Sequence, residues 1–313
     1  MTSIRHQSHR STGHLLALFT ILIWGTTFVS TKVLLVDFTP IEILLFRFLI
    51  GYVILCIIYP RFQWIVSIRD EALYICAGLC GVTLYFLIEN LALVYTTASN
   101  AGIIVSVAPF FTAVFAHFFL DGEKITRRFL AGFAIAICGI ILVTFSGSYM
   151  LQLNPVGDLL AFIAPVVWAI YSVLMRKISS RKVHMIGATR KVFFYGLLFM
   201  LPALFLFDFE LNLARFYHIS NISNLLFLGA GASALCFVTW NQAVKLLGAI
   251  HTSVYIYVVP VVTVVSSALI LHERLTWVSI LGASLTLYGS YVSESTSGKN
   301  KKNFILSKLH RNA

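Results

Sequence analysis

Apolar residues fill runs of roughly twenty positions from residue 14 to residue 294, broken by short polar corners such as DFTP, TTAS and KLLGA. A helix rises about 1.5 Å per residue, so each run can cross a hydrocarbon layer of about 30 Å. The pattern predicts ten membrane-spanning helices over 14–36, 41–60, 72–95, 98–120, 127–146, 156–176, 186–208, 222–244, 250–272 and 276–294. The corners are too short to hold a separate domain. Segments 1–13 and 295–313 are expected as solvated tails. Basic residues followed by an apolar run have the order of a signal peptide. That run is too long and lacks a small-residue cleavage site, so it is expected to be the first span.

Composition sharpens this reading. Hydrophobic residues make up 59% of the 313 and charged residues only 11%, with a mean hydropathy of +0.89. A water-soluble core cannot absorb that much apolar surface. The net charge of +11 is unevenly spread. With the N-terminus inside, 17 of the 23 lysines and arginines fall on cytoplasmic segments, against Lys32, Arg215 and Arg274 on the opposite face. This is the positive-inside bias, and it places both termini in the cytoplasm, here at the inner (plasma) membrane. Attraction to anionic lipid headgroups accounts for the basicity without nucleic acid. Cys56, Cys76, Cys80, Cys138 and Cys236 fall within spans and have no metal-site spacing around them. No G-x4-G-K-[ST] loop, H-E-x-x-H or serine nucleophile motif is present. These readings point to no enzyme, no cofactor and no metal, and to work driven by a gradient.

The phrase SVAPFFTAVFAHFFLDGEKI returns as YVVPVVTVVSSALILHERL. Aligned on their prolines, Asn90 pairs with Asn241, Gly102 with Ser253, Ser106 with Tyr257 and Pro109 with Pro260, always 151 residues apart. One extra residue in LDGE then shortens the separation to 150, pairing Glu123 with Glu273 and Gly132 with Gly282. Both halves read E-x2-T-x5-G-x6-G. Upstream the match is looser, Trp24 against Trp168 and Arg47 against Arg190. Five spans per half is an odd number, so the second half must enter the membrane from the other side. The expected fold is therefore an all-α integral membrane protein of two inverted five-helix repeats, 14–146 and 156–294, with a substrate site at their interface. Inversion also explains why EKITRR keeps three cations and ERLTW one.

The stretches WGTTFVSTKVLL..FTPIEILLFRFLIG and NLALVYTTASNAGIIVSVAPFFTAVFAHFFLDGEKIT, together with the second-half copy, resemble the EamA-type transporters of the drug/metabolite transporter superfamily over roughly residues 14–294. The extra residue in LDGE departs from a strict repeat and blurs the end of the fourth helix. The resemblance implies a ten-helix basket that exports or exchanges small metabolites, often amino acids. The expected function is a secondary active transporter of small metabolites, exporting amino acids or related small organic molecules by alternating access. Import or exchange of organic cations, an intramembrane enzyme and a channel are the alternatives.

Several residues carry the expected site. Glu89 lies inside the third span, where a carboxylate costs up to about 3 kcal/mol unless paired or hydrated. It is read either as the receiver of a substrate ammonium or a coupling proton, with Tyr85 one turn away, or as a structural ion pair with Arg47. Arg47 and Arg190 bind a carboxylate or phosphate if they point inward, and otherwise snorkel to the interface. Trp24, Tyr85, Trp168, Tyr171, Trp240 and Tyr257 are expected to line an aromatic cavity for an apolar or cationic ligand or to pack the core. Asn90 and Asn241 either line it or join helices, and Ser106 leaves room for a ligand or for close helix approach. Pro109 and Pro260 are read as paired kinks near the centres of their helices, acting as hinges or shaping packing. Glu42 is expected in a capping box with Thr39, Asp158 at a helix start, and Glu123 and Glu273 as corner organisers.

Overall fold

The computed structural model describes residues 2–61, 67–95, 105–146, 155–181, 183–207, 209–210, 212–270 and 277–294. Among them the chain forms ten helical segments: α1 Thr2–Leu34, α2 Pro40–Ile58, α3 Ile68–Tyr95, α4 Ala108–Phe119, α5 Arg127–Ser146, α6 Pro155–Ser179, α7 Met185–Leu206, α8 Ile219–Leu247, α9 over 249–270 and α10 Trp277–Glu294. A 3-10 turn, Leu213–Tyr217, lies between α7 and α8. Six segments, α1, α2, α3, α6, α7 and α8, are long and apolar enough to cross a membrane, and Ala108–Phe119 and Ala249–Thr263 are shorter apolar helices.

Local chemistry sets the helix ends. Pro40 opens α2, where its missing N–H is no loss, and the Thr39 N–H donates to Glu42 Oε2 at 2.8 Å. Thr126 Oγ1 accepts the Phe129 N–H at 3.1 Å and starts α5. Gly248 ends α8 with φ +97°, a conformation that suits glycine.

One boundary extends and one expectation changes. Helix α1 begins at Thr2, ahead of the expected span, and Gly13 packs against Leu246 and Leu247 at the end of α8. The prolines do not sit in mid-helix. Pro109 is the second residue of α4, after a turn at 106–107, and Pro260 is the second residue of Val259–Ile270, after a 3-10 turn at Val254–Val258. A residue without an N–H fits a first turn, which needs no backward hydrogen bond there. Both prolines therefore mark a junction between a short turn and the apolar helix that follows it. The pattern also left two π-helical stretches unseen, Leu79–Leu84 within α3 and Phe227–Leu235 within α8. Leu84 and Leu235 are partners in the 151-residue alignment, so the two distortions occupy matching places.

Glycines set the closest helix contacts, and they do so in matched pairs. A Cβ added at Gly132 on α5 would fall 2.5 Å from Gly289 O on α10, and one at Gly139 would fall 2.6 Å from Gly282 O. The early glycine of one helix meets the late glycine of the other, so α5 and α10 run antiparallel. Gly51 on α2 meets Gly229 on α8, and Gly78 on α3 meets Gly196 on α7, Gly78 and Gly229 being alignment partners. Small residues let backbones approach where lipid offers no hydrophobic drive for association.

The interior is aromatic. Trp24, Phe48, Phe86, Trp168, Phe193, Phe237 and Trp240 form its centre, with Phe48 and Phe193 edge-to-face at 4.9 Å. The outside is apolar too. Leu15, Leu18 and Leu22 on α1 are exposed while Ala17 and Ile21 are buried, and Phe205 on α7 is 91% exposed. A surface of this kind is stable in lipid rather than water.

Candidate functional site

A cavity of about 50 Å³ lies between the two halves of the chain. From residues before 146 it takes Trp24, Thr27 and Phe28 of α1, Arg47 of α2, Tyr85, Phe86 and Glu89 of α3, Val105, and Ala108 of α4. From residues after 155 it takes Trp168 of α6 and Ile256 and Val259 of α9. Val105 pairs with Ile256 and Ala108 with Val259 in the 151-residue alignment, so the wall beside each proline junction is built from equivalent positions.

Glu89 is 8% exposed, and its Oε1 accepts the Tyr85 hydroxyl at 3.0 Å, one turn earlier on α3. Arg47 is 2% exposed, and its Nε donates to Ser233 Oγ at 3.0 Å. Its guanidinium carbon stands 4.4 Å from the centre of the Phe86 ring and 5.3 Å from that of Phe48. Glu89 and Arg47 feel each other's charge across the cavity, yet no contact within 4.0 Å joins them. Among the described residues both Nη groups of Arg47 are without a hydrogen-bond partner. A direct structural ion pair is thus not what holds Glu89 here.

The other buried acids are matched on site. Glu42 accepts from the backbone N–H groups of Thr39 and Glu210 and from Arg215 Nη1 at 2.8 Å. Glu71 takes Lys191 Nζ at 2.6 Å and the Tyr195 hydroxyl. Glu123, only partly buried, takes Arg176 Nε at 3.0 Å and two amides at the start of α9. Capping and corner roles therefore fit the geometry of Glu42 and Glu123. Glu273 and Gly102 lie outside the described residues, as does the side chain of Asp158.

Trp24 and Trp168 line the cavity, and Trp240 packs behind them. Trp24 and Trp168 meet edge to face at 5.4 Å and 82°, and Trp240 packs 5.1 Å from Trp24. The Trp24 indole donates to Ala232 O at 2.9 Å, whereas the buried Nε1 atoms of Trp168 and Trp240 have no partner among the described residues. Trp168 lines the cavity, while its N–H is itself buried. Tyr171 sits below it, donating to Asn241 Oδ1 at 2.9 Å, while Asn241 Nδ2 donates to Thr189 Oγ1 at 3.0 Å. That chain ties α6, α8 and α7 together behind the cavity.

Six expected cavity residues, Tyr171 among them, are placed elsewhere. Asn90 Nδ2 donates to Pro40 O at 3.2 Å, joining α3 to the start of α2. Ser106 is buried outside the cavity lining. Tyr257 belongs to a second apolar cluster with Phe133 and Ala113. Trp240 and Asn241 lie behind the wall. Arg190 also leaves the site: it donates to Tyr59 O and, at 2.6 Å, to Arg61 O, closing the end of α2. Conversely Thr27, Phe28, Phe86, Val105, Ala108, Ile256 and Val259 line the cavity without having been singled out. The alignment pairs flanking the prolines were the signal for four of them.

Among the described residues no group of His, Cys, Asp and Glu is arranged to hold a metal ion. The sequence model described as the EamA-like transporter family matches residues 11–145 and again 155–294. An uncharacterized transporter of Archaeoglobus fulgidus is 28% identical over 290 residues, covering 90% of this chain and 96% of that one. The uncharacterized transporter YvbV of Bacillus subtilis is 27% identical over 92% of this chain and 93% of its own length. A probable terminal-alkyne amino-acid exporter of Streptantibioticus cattleyicolor is 26% identical over 75% of this chain and 77% of that protein. A solved crystal structure superposes with a TM-score of 0.71 at 20% identity, covering 90% of this chain and 96% of the other, which shows a shared fold.

Proposed function

Because the chain belongs to the EamA-like transporter family, and is thus a multi-pass membrane transport protein rather than an enzyme, we propose that it carries a small zwitterionic metabolite of the amino-acid class by alternating access. The observation that carries this reading is a buried acid and a buried base that share one cavity without touching. Glu89 would receive an ammonium, and the free Nη groups of Arg47 would receive a carboxylate, a fork suited to a planar anion. Trp24, Phe28 and Phe86 would enclose an apolar side chain. Export is supported by the Streptantibioticus relative alone.

The mechanism rests on ten crossings in two inverted repeats, with both termini cytoplasmic and the protein in the inner membrane. Paired glycine contacts, paired π stretches and paired proline junctions support that arrangement. The junctions beside the cavity are where α4 and α9 would flex as one half rocks against the other. Glu89 would also carry the coupling proton.

Counterflow in proteoliposomes tests the reading. Vesicles loaded with an amino-acid mixture are expected to take up labelled apolar amino acid in a saturable way, and Glu89→Gln to remove the pH dependence of that exchange. A second reading, an organic cation, follows from Glu89 standing among aromatic rings. Arg47→Ala separates the two, since it abolishes exchange of a zwitterion and favours that of a cation.

A further inference from the structure

Away from the cavity lining, one acid of the first half takes three donors from the second. Glu123 comes from the corner between α4 and α5, in the first half of the chain. Its Oε1 accepts from Arg176 Nε and the Ala249 N–H, both at 3.0 Å, and its Oε2 from the Ile250 N–H at 2.8 Å. All three donors belong to the second half. Arg176 Nη1 in turn donates to Val244 O at 3.2 Å and Lys245 O at 3.0 Å, on the last turn of α8. The anion sits on a helix N-terminus and the cation on a helix C-terminus, the sign each helix end favours. A Cβ at Gly248 would fall 2.8 Å from Glu123 Oε1, so the glycine that turns α8 into α9 also admits the carboxylate.

We propose that Glu123 and Arg176 form a latch that pins the two halves together at the end of α8, and that the transport cycle requires it to part. The proposal rests on the carrier reading above. Among the described residues three ion pairs join the halves at this end and burial grades them: Arg181–Asp70, 41% and 34% exposed, is the most open, Lys191–Glu71 the most buried, and of the three acids Glu123 alone also takes two backbone amides of the second half. The Lys191–Glu71 side chains are 13% and 4% exposed, whereas those of Arg176 and Glu123 are 32% and 11% exposed. Breaking a fully buried pair strands a charge away from water, while a pair at the edge of solvent can part and be hydrated. Arg176 stands eight residues beyond Trp168 on α6, about 12 Å at 1.5 Å per residue, so the latch stands clear of the cavity lining.

The repeat shows what the latch adds. Lys32 precedes Arg176 by the separation that relates Trp24 to Trp168, and its Nζ donates at 2.7 Å to Leu93 O, the alignment partner of Val244. Each half thus has a cation on the final turn of its third helix. In the second half that cation is also gripped by an acid from the first.

Hydrogen exchange on the full chain in lipid nanodiscs tests this without any substrate. In both Glu123→Gln and Arg176→Gln, which change net charge in opposite directions, peptides covering 120–126 and 244–256 are expected to exchange at least tenfold faster. Peptides covering 27–34 and 85–93 are expected to stay unchanged or become better protected, as alternating access demands. Exchange unaltered in either variant, or accelerated alike at both ends, overturns the latch. A protein that shows this exchange pattern but no counterflow with any substrate leaves the latch standing and removes the carrier reading instead.

Discussion

Depth alone does not single out Glu89, because Glu42 and Glu71 are buried at least as fully; what differs is the supply of partners. Each of those acids has a cation within 2.8 Å, while Glu89 has a phenol. Tyr85→Phe removes that bond, and a hydrogen bond to a charged group contributes about 1.5 kcal/mol or more, so the apparent affinity for an ammonium substrate should fall about tenfold. Counterflow KM values for wild type and variant check this. Arg47 poses the reverse case. Only its Nε is anchored, and the anchor, Ser233, stands in the π stretch of α8. Ser233→Ala should free the guanidinium and raise KM for a carboxylate substrate about fivefold, near 1 kcal/mol for a net hydrogen bond, with the maximal rate retained. An unchanged KM would show that packing on Phe48 and Phe86 already fixes Arg47. The sequence located Glu89, Arg47, Tyr85, Trp24 and Trp168 because charge and repeat pairing mark such residues. It could not tell that Asn90, Arg190 and Tyr257 turn away, since which side of a helix faces a cavity depends on neighbours far along the chain.

At the scale of elements, helix existence was readable from apolar run length, and helix irregularity was not. The two π stretches contain the glycines Gly81, Gly229 and Gly231, and neither they nor the junctions before Pro109 and Pro260 leave a trace in the periodicity. Gly81 shows the constraint. A Cβ there would lie 2.1 Å from the Tyr171 ring, which is itself held by Asn241. Gly81→Ala should therefore destabilise the protein by about 1–3 kcal/mol through overpacking. Gly231, in the matching π stretch, meets nothing nearer than Phe227 at 3.6 Å, and Gly231→Ala should stay within about 0.5 kcal/mol of wild type. Thermal unfolding midpoints of the two variants in one detergent measure the contrast. Equal losses would mean that the π geometry itself, rather than Tyr171, requires glycine.

Across the whole molecule, two independent lines bear on orientation. One is charge: cations gather on corners such as 121–128 and 176–182 and are scarce around 209–218. The other is packing: α5 and α10 run antiparallel with their glycines exchanged, as two copies related by an axis in the membrane plane must do. A parallel duplication would have matched Gly132 with Gly282 across the contact instead of with Gly289. The charge bias predicts the corner at Asp121 and Lys124 in the cytoplasm, and inversion predicts Tyr217, which is 87% exposed, on the other side. Single cysteines at Lys124 and Tyr217, in a background whose five native cysteines are replaced by alanine or serine, should react with a membrane-impermeant maleimide from opposite faces. Lys124 should be labelled only after the cells are opened and Tyr217 in intact cells. Labelling of both from one face would break the inverted arrangement. It would also remove the reason for treating Arg176 and Lys32 as counterparts at opposite ends, because that equivalence requires the second half to enter the membrane upside down.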